Sequence, residues 1–322
     1  MSSHFGWVDF AEDHRRRMLD VIRLFQEQET RDELGVGTIR DAFSEYFFPG
    51  TSTIQTRARY MLFIPWIYRR LEEQRIFGIE MERRARNDEI RLVYALLKSE
   101  DTEGIIGSES RERLQRLPSM VYWTGLYSWK IRLFPGTRSE YHQYLERYYR
   151  KKKQLLKTDD NEPTTVLKDN WDPNLPDPPD NLFQYAEFAL TRDEAVYLQE
   201  RVLAEHPKSM LAYFLVSGSL EDSAYFWEQP LIGTLPVSLQ QEVAHARNFS
   251  KTIYGAAILY NLMLARKSGR QNRIEQYEAE LDEWAASMHA RWTELRQWYE
   301  RRKEFWALEF LKQAVPRLTV KF

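Results

Sequence analysis

Residues 48–66, FPGTSTIQTRARYMLFIPW, set Gln55, Thr56, Arg57 and Arg59 just after a Pro-Gly turn. A short helix, a turn, and a second helix with amide, hydroxyl and guanidinium groups in its first turns are the parts of a helix-turn-helix. In that motif the amino end of the second helix meets bases or phosphates. Ile54, Ala58, Met61, Leu62, Ile64 and Ile67 argue the other way, because a helix apolar on nearly every side belongs in a core. The arginines thus have two uses: a reading surface, or satisfaction of buried carboxylates and carbonyls.

Residues 111–157 hold twelve Lys and Arg against three acids. Lys130, Arg132, Arg147, Arg150, Lys151, Lys152 and Lys153 are interleaved there with Tyr122, Trp123, Tyr127, Trp129, Tyr141, Tyr144, Tyr148 and Tyr149. Cations neutralise phosphates and aromatic faces stack on unpaired bases, so the mixture suits a nucleic-acid surface. The plainer alternative is a solvated basic helix whose aromatics face the core, or one that docks on the acidic second half.

A third constellation is His245, Asn248 and Thr252, on one helical stripe at i, i+3 and i+7. It could be a general base with amide and hydroxyl helpers. A buried polar network is the better reading, because no carboxylate or nucleophile stands beside it in sequence. Glycine-rich phosphate loops, nucleophile elbows and paired-histidine zinc helices are missing, and the six histidines are scattered. DNWDPNLPDPPD lacks the glycine and terminal glutamate of a calcium loop. With no cysteine, disulfides, thiolate zinc sites, iron-sulfur clusters and thiol nucleophiles are excluded. The expectation is a non-enzymatic chain without metal or cofactor.

Helical periodicity must position these groups. Asp9 and Glu12 form a capping-box pattern ahead of a helix over 10–28 carrying Phe10, Met18, Val21, Ile22 and Phe25. Further helices are expected over 38–47, then from a cap at Ser52 or Thr53 with a kink at Pro65, and over 79–99, 111–132 and 138–157. Thr191 and Glu194 repeat the capping box, and a helix over 237–267 is stopped by Gly269. Between 270 and 313 neither proline nor glycine occurs, which predicts one very long helix or two with a subtle break. Ile274, Tyr277, Leu281, Trp284, Met288, Trp292, Leu295 and Tyr299 would form its coiled-coil-like seam. The amino-terminal lobe should cover that seam. Trp298, Phe305 and Trp306 fall off it and read as anchors for a protein partner. Only the tail RLTVKF looks extended.

The resulting fold class is all-α: a multi-helical bundle in two lobes with a long C-terminal helix. Residues 158–181, with five prolines and six aspartates, cannot sustain a helix and read as a linker or long surface loop. They would separate a basic lobe, 1–157, with its helix-turn-helix-like segment, from an acidic lobe, 182–322. The first 157 residues carry 28 Lys and Arg against 23 Asp and Glu, and the remainder 18 against 25. Such asymmetry points to a polyanion on one side or to the two halves facing each other. The amino-terminal stretch MSSHFGWVDFAEDHRRR has no signal-peptide pattern. The longest apolar run, Tyr60 to Tyr68, is far short of a membrane span. A cytoplasmic protein without membrane contact is expected.

FGWVDF at 5–10, FPGTSTIQTRARYMLFIPWIYRRLE at 48–72, LPSMVYWTGLYSW at 117–129 and HARNFSKTIYGAAILYNLMLA at 245–265 together resemble an uncharacterised bacterial family of unknown function. Some members are encoded near helicases and phospholipase D-like nucleases of antiphage defence. The resemblance spans most of the chain, although the ending AVPRLTVKF departs from it, and it transfers no catalytic residues. It implies an accessory subunit of such a system, with a helicase or nuclease as partner. The reading preferred on the sequence alone is a subunit that contacts nucleic acid through its amino half and protein through its carboxyl half. A purely structural scaffold is the alternative, and an enzyme of unrecognised type the third.

Overall fold

The computed structural model describes residues 35–155, 169–217, 221 and 223–315. Among them the chain is all-α, with twelve α-helices and no sheet. The expected helix over 10–28 and the tail RLTVKF lie outside the described residues.

Contacts divide the chain into two compact units. The first contains residues 48–155 and 169–216 of the described chain; the second contains 35–47 and the described residues from 217 onward. This division differs from the expected boundary at 158–181. The described part of that Pro/Asp segment, 169–181, belongs to the first unit and is stitched into it. The Leu133 amide donates to the Asn170 carbonyl at 2.8 Å and the Asp172 amide to the Ile131 carbonyl at 2.9 Å, making an isolated antiparallel bridge between Arg132 and Trp171. Trp66 Nε1 donates to the Pro176 carbonyl at 2.6 Å. Proline prevents a helix here, but its carbonyl still accepts, so the strand-like strap is held without regular structure.

In the first unit the helices are α2 (Tyr60–Glu73), α3 (Gly78–Leu96), α4 (Pro118–Ser128), α5 (Arg138–Leu155), α6 (Arg192–Glu205) and α7 (Met210–Ser217), the last ending at its border. Every residue from Tyr60 to Tyr68 is buried, so α2 is the central core helix that its all-round apolarity predicts. Pro65 does not end it. Helices α3 and α4 pack on α2, and α5 packs on α3. The expected helix over 111–132 is shorter: a 3-10 turn at Arg111–Arg113 precedes α4, which Pro118 begins. The Thr191 capping box is present in full at the start of α6.

In the second unit α1 (Val36–Phe47) packs on α12 (Glu309–Ala314) and on α8 (Val237–Lys267). Helix α8 ends at Gly269, whose φ of 65° is the left-handed turn expected of a glycine C-cap. From there α9 (Gln271–Ala290) runs back antiparallel along α8. Gly255 makes room for the Trp284 ring, which a Cβ would meet at 2.2 Å. Trp284 Nε1 donates to the Lys251 carbonyl at 2.7 Å.

The one long helix, or two with a subtle break, expected after 270 is replaced by four, α9 followed by α10 (Trp292–Glu300), α11 (Arg302–Ala307) and α12. Arg291 (φ −108°, ψ 14°) and Arg301 (φ −93°, ψ 20°) break the regular dihedrals. Each break resets the helical phase, so the seam does not continue. Leu295 stays buried, but Trp292 and Tyr299 are 63% and 64% exposed.

Candidate functional site

The helix-turn-helix expectation for residues 48–66 is overturned. Helix α2 begins only at Tyr60, so Gln55, Thr56, Arg57 and Arg59 precede it in a tight loop. Gln55 Nε2 donates to the Gly50 carbonyl at 3.3 Å and the Thr56 hydroxyl to the Gly104 carbonyl at 2.6 Å. The Thr56 and Arg57 amides both donate to the Tyr122 hydroxyl, at 2.7 and 3.0 Å. Long-range partners thus take the donors that a helical first turn would have pointed outward.

Both arginines are buried. Arg57 Nε donates to the Glu103 carbonyl at 3.0 Å and its Nη2 to Asp101 at 2.8 Å, with the guanidinium over the Phe188 ring. Arg59 donates to the Glu187 carbonyl at 2.9 Å and to Glu194 Oε1 at 2.7 Å. They serve the core and are no reading surface.

The basic segment divides in two. Arg132 is buried and donates only to main-chain carbonyls, those of Trp123, Phe134 and Gly136, with the Trp123 and Tyr127 rings beside it. Burial lowers its pKa to about 10. Lys130, at φ 55°, rests its ammonium 4.0 Å from the Tyr127 ring centre. Arg147 and Arg150 on α5 are exposed, the latter paired with Glu146 at 2.9 Å. The α5 backbone continues helically through Lys151, Lys152 and Lys153, whose side chains lie outside the described residues. Tyr141, Leu145 and Tyr148 face inward, so the aromatics expected to stack on bases belong mostly to the core.

The stripe His245, Asn248 and Thr252 is a set of struts. Trp298 Nε1 donates to His245 Nδ1 at 2.9 Å, Arg291 Nη2 donates to Asn248 Oδ1 at 2.6 Å, and the Thr252 hydroxyl donates to the Asn248 carbonyl at 2.8 Å. Asn248 is buried, and burial lowers the His245 pKa. As partner anchors, Trp298, Phe305 and Trp306 meet a correction. Phe305 is only 4% exposed, its ring packed against Phe43, His245, Phe249, Trp298 and Trp306. Trp298 and Trp306 are half-buried around it. The same phase reset that exposes Trp292 and Tyr299 turns Phe305 inward.

A buried polar centre in the first unit was not anticipated. Glu89 of α3 accepts from the Ser119 amide and from the Ser119 hydroxyl, both at 2.8 Å. Burial raises its pKa to about 7, against the opposing pull of those donors and of Arg138 and Arg86. Tyr68 of α2 lies against the same group, its ring stacked on His142 of α5 at 5.9 Å between centres. Among the described residues no atom stands at hydrogen-bond geometry to the buried Tyr68 Oη, His142 Nε2 or Arg138 Nη1. Burial, then the nearby Arg138 charge, lowers the His142 pKa to about 4, so the ring is neutral at pH 7.

Nearby, Glu72 collects Tyr141 Oη, Trp171 Nε1 at 2.9 Å, Asn170 Nδ2 at 3.3 Å and Tyr149 Oη at 3.2 Å. The sequence does hold a signal for Glu89. It shares the i, i+4, i+7 register of Ala85, Leu92 and Leu96, a charge at a core position of an amphipathic helix. Chemically the centre can exchange a proton near neutrality. Glu89 and Ser119 are fully buried, however, so a substrate could reach them only through an opened core. Among the described residues no group of three or more His, Asp or Glu could hold a metal ion.

A family model described as a family of unknown function, DUF6361, matches residues 1–310. The chain belongs to this family. No curated protein and no solved structure matches it. The DUF6361 match covers the loop of Arg57 and Arg59, the buried centre and the α8–α9 hairpin alike, and ends within α12. Among the described residues no helix is long and apolar enough to cross a membrane.

Proposed function

We propose that this protein is a cytoplasmic, non-enzymatic helical subunit that touches the phosphate backbone of nucleic acid through the outer side of α5. The observation that carries this reading is the two-sidedness of α5. Tyr141, Leu145 and Tyr148 anchor it inward while Arg147 and Arg150 remain in solvent. Exposed cations on a helix whose aromatics are partly or wholly buried suit backbone contact, which is indifferent to sequence, better than stacking on unpaired bases. In this reading the protein is an accessory subunit of a bacterial antiphage-defence system, beside a helicase or nuclease, which is what its resemblance to a family with some members encoded near such genes implies.

The test is fluorescence anisotropy with labelled duplex DNA and RNA at low salt. Affinity should fall steeply with added salt. Exchanging Arg147, Arg150, Lys151, Lys152 and Lys153 for glutamate should abolish binding to every sequence alike, because each phosphate neutralised releases a counterion. A native protein that ignores both nucleic acids at low salt would leave the scaffold reading in its place. That second reading has an observation of its own: Gln55, Thr56, Arg57, Arg59 and Arg132 spend their donors inside the first unit.

A further inference from the structure

The break at Arg291 leaves two large rings of the second unit in solvent, Trp292 at 63% and Tyr299 at 64% exposure. Both belong to α10 and stand seven residues apart, so they share one face, two turns or about 10.5 Å along the axis. Arg296 lies between them on that face, four residues after Trp292 and three before Tyr299. At the start of α11, Arg302 places its guanidinium 4.7 Å from the centre of the Tyr299 ring.

The surroundings of the rings define their occupant. No aliphatic side chain joins them: Thr293, Glu294, Arg296, Gln297 and Glu300 are the other exposed residues of α10, while Leu295 is buried and Trp298 half-buried. A protein interface gathers apolar surface at its centre and is depleted of charge there, and a helix lying on a membrane needs a continuous apolar face, so neither is matched. Charge points the same way. Residues 291–304 hold five Lys and Arg against three Glu, within the acidic half of the chain. Arg296 pairs with Glu300 at 3.1 Å and Arg301 with Glu304 at 3.9 Å, all four side chains being exposed. Pairs of this kind are weak, so a phosphate can take the place of the glutamate. Arg302 and Lys303 are exposed and make no ion pair among the described residues. The spacing also suits a polynucleotide, because phosphates of a stacked strand rise about 3.4 Å each and three steps match the distance between the rings.

We infer that this face of α10 binds single-stranded nucleic acid, with unpaired bases stacked on Trp292 and Tyr299 and phosphates held by Arg296, Arg302 and Lys303. Every base has a π-face, so the contact tolerates any sequence. The inference does not rest on the α5 surface, which belongs to the other unit and is read as touching the backbone alone.

The test is fluorescence anisotropy on the full chain with two labelled strands of equal length and charge, an oligothymidine of about twelve nucleotides and the same backbone made abasic. The oligothymidine should bind about tenfold or more tightly, the effect expected of two stacked bases. Trp292→Ala with Tyr299→Ala should bring its affinity down to that of the abasic strand, with an unchanged thermal midpoint because both rings are exposed. Trp292→Phe with Tyr299→Phe, which keeps a ring at each place, should retain most of the preference. Arg147→Glu with Arg150→Glu should retain it too, which separates this inference from the α5 reading. Binding should also quench tryptophan emission, and Trp292→Phe alone should remove most of that quenching. Equal binding of the two strands, survival of the preference in the alanine pair, its loss in the α5 variant, undiminished quenching in Trp292→Phe, or binding of neither strand would each overturn the inference.

Discussion

Glu89 and His142 respond to pH in opposite senses. Glu89 has a folded-state pKa near 7 against an ordinary 4.5, so the folded protein holds its proton more tightly. Its stabilising share is complete below pH 4.5 and is lost as pH rises through 7. His142 has its pKa depressed from 6.5 to about 4, so its share is complete above pH 6.5 and is lost as pH falls through 4. Between pH 4.5 and 6.5 the two slopes offset each other. Glu89→Gln should therefore tilt the profile, making the thermal midpoint rise more steeply with pH between 4.5 and 6.5 than in the native protein. The variant should also gain roughly 1–3 kcal/mol at pH 8, since a buried carboxylate with a shifted pKa is a stability term of that order. Melting curves across pH check both statements. A second residue-scale expectation concerns the paired arginines. Arg59→Ala leaves the Glu194 carboxylate buried without its ion-pair partner, so stability should drop by roughly 3–5 kcal/mol, the range for a broken buried pair. Arg57→Ala should lose less, because Asp101 is half exposed and can turn to water. Chemical denaturation measures the difference.

At the scale of elements, close approach of backbones governs several contacts. A Cβ on Gly125 of α4 would lie 2.1 Å from the Gly50 carbonyl oxygen, which is backbone and cannot rotate away. Gly125→Ala should destabilise the first unit by roughly 1–3 kcal/mol, as overpacking does. Gly255→Ala should loosen the α8–α9 hairpin by a similar amount, and a changed Trp284 fluorescence should accompany it. Most of these elements were legible in the sequence. Helices α1, α3, α5 and α8 fall within a few residues of their expected spans, and the Thr191 box and the Gly269 stop are where local chemistry places them. The features that could not be read were set by distant partners. Thr56 and Arg57 belong to a loop because Tyr122, sixty-odd positions on, accepts and donates hydrogen bonds there. Phe305 is internal and Trp298 half-buried because two single-residue breaks, at Arg291 and Arg301, rotate the helices after them. No proline or glycine marks either break. For the same reason the exposed cations of α5 were foreseeable from composition, whereas the inward turn of Arg132 was not.

At the scale of the whole molecule, the first unit is an insertion between two parts of the second. Residues 35–47 and the chain beyond 217 meet across everything that separates them. Phe43 packs on Phe249, Phe305 and Phe310, Phe47 on Phe226, and Tyr46 stacks on Phe310 at 4.2 Å while donating to Glu242 at 2.8 Å. A fragment ending at 157 lacks Trp171, Phe188 and Glu194, the partners of Tyr141, Tyr60 and Arg59, so it should show no cooperative melt. A fragment spanning 48–216 should melt cooperatively. Circular dichroism on the two tells them apart. A cooperative 1–157 would mean that the strap and α6 are accessory to the core.

This nesting has a consequence for how the protein comes off the ribosome. Helix α1 is translated early, yet among the described residues Phe43 and Tyr46 pack on rings of α8, α11 and α12, and Phe47 on Phe226, all of which emerge much later. At about 5–20 residues per second that wait is on the order of 10–50 s. The intervening 48–216 can collapse meanwhile, since it forms a compact unit of its own. For that interval the nascent chain carries a finished unit preceded by an unsatisfied aromatic helix, the kind of segment to which holding chaperones bind.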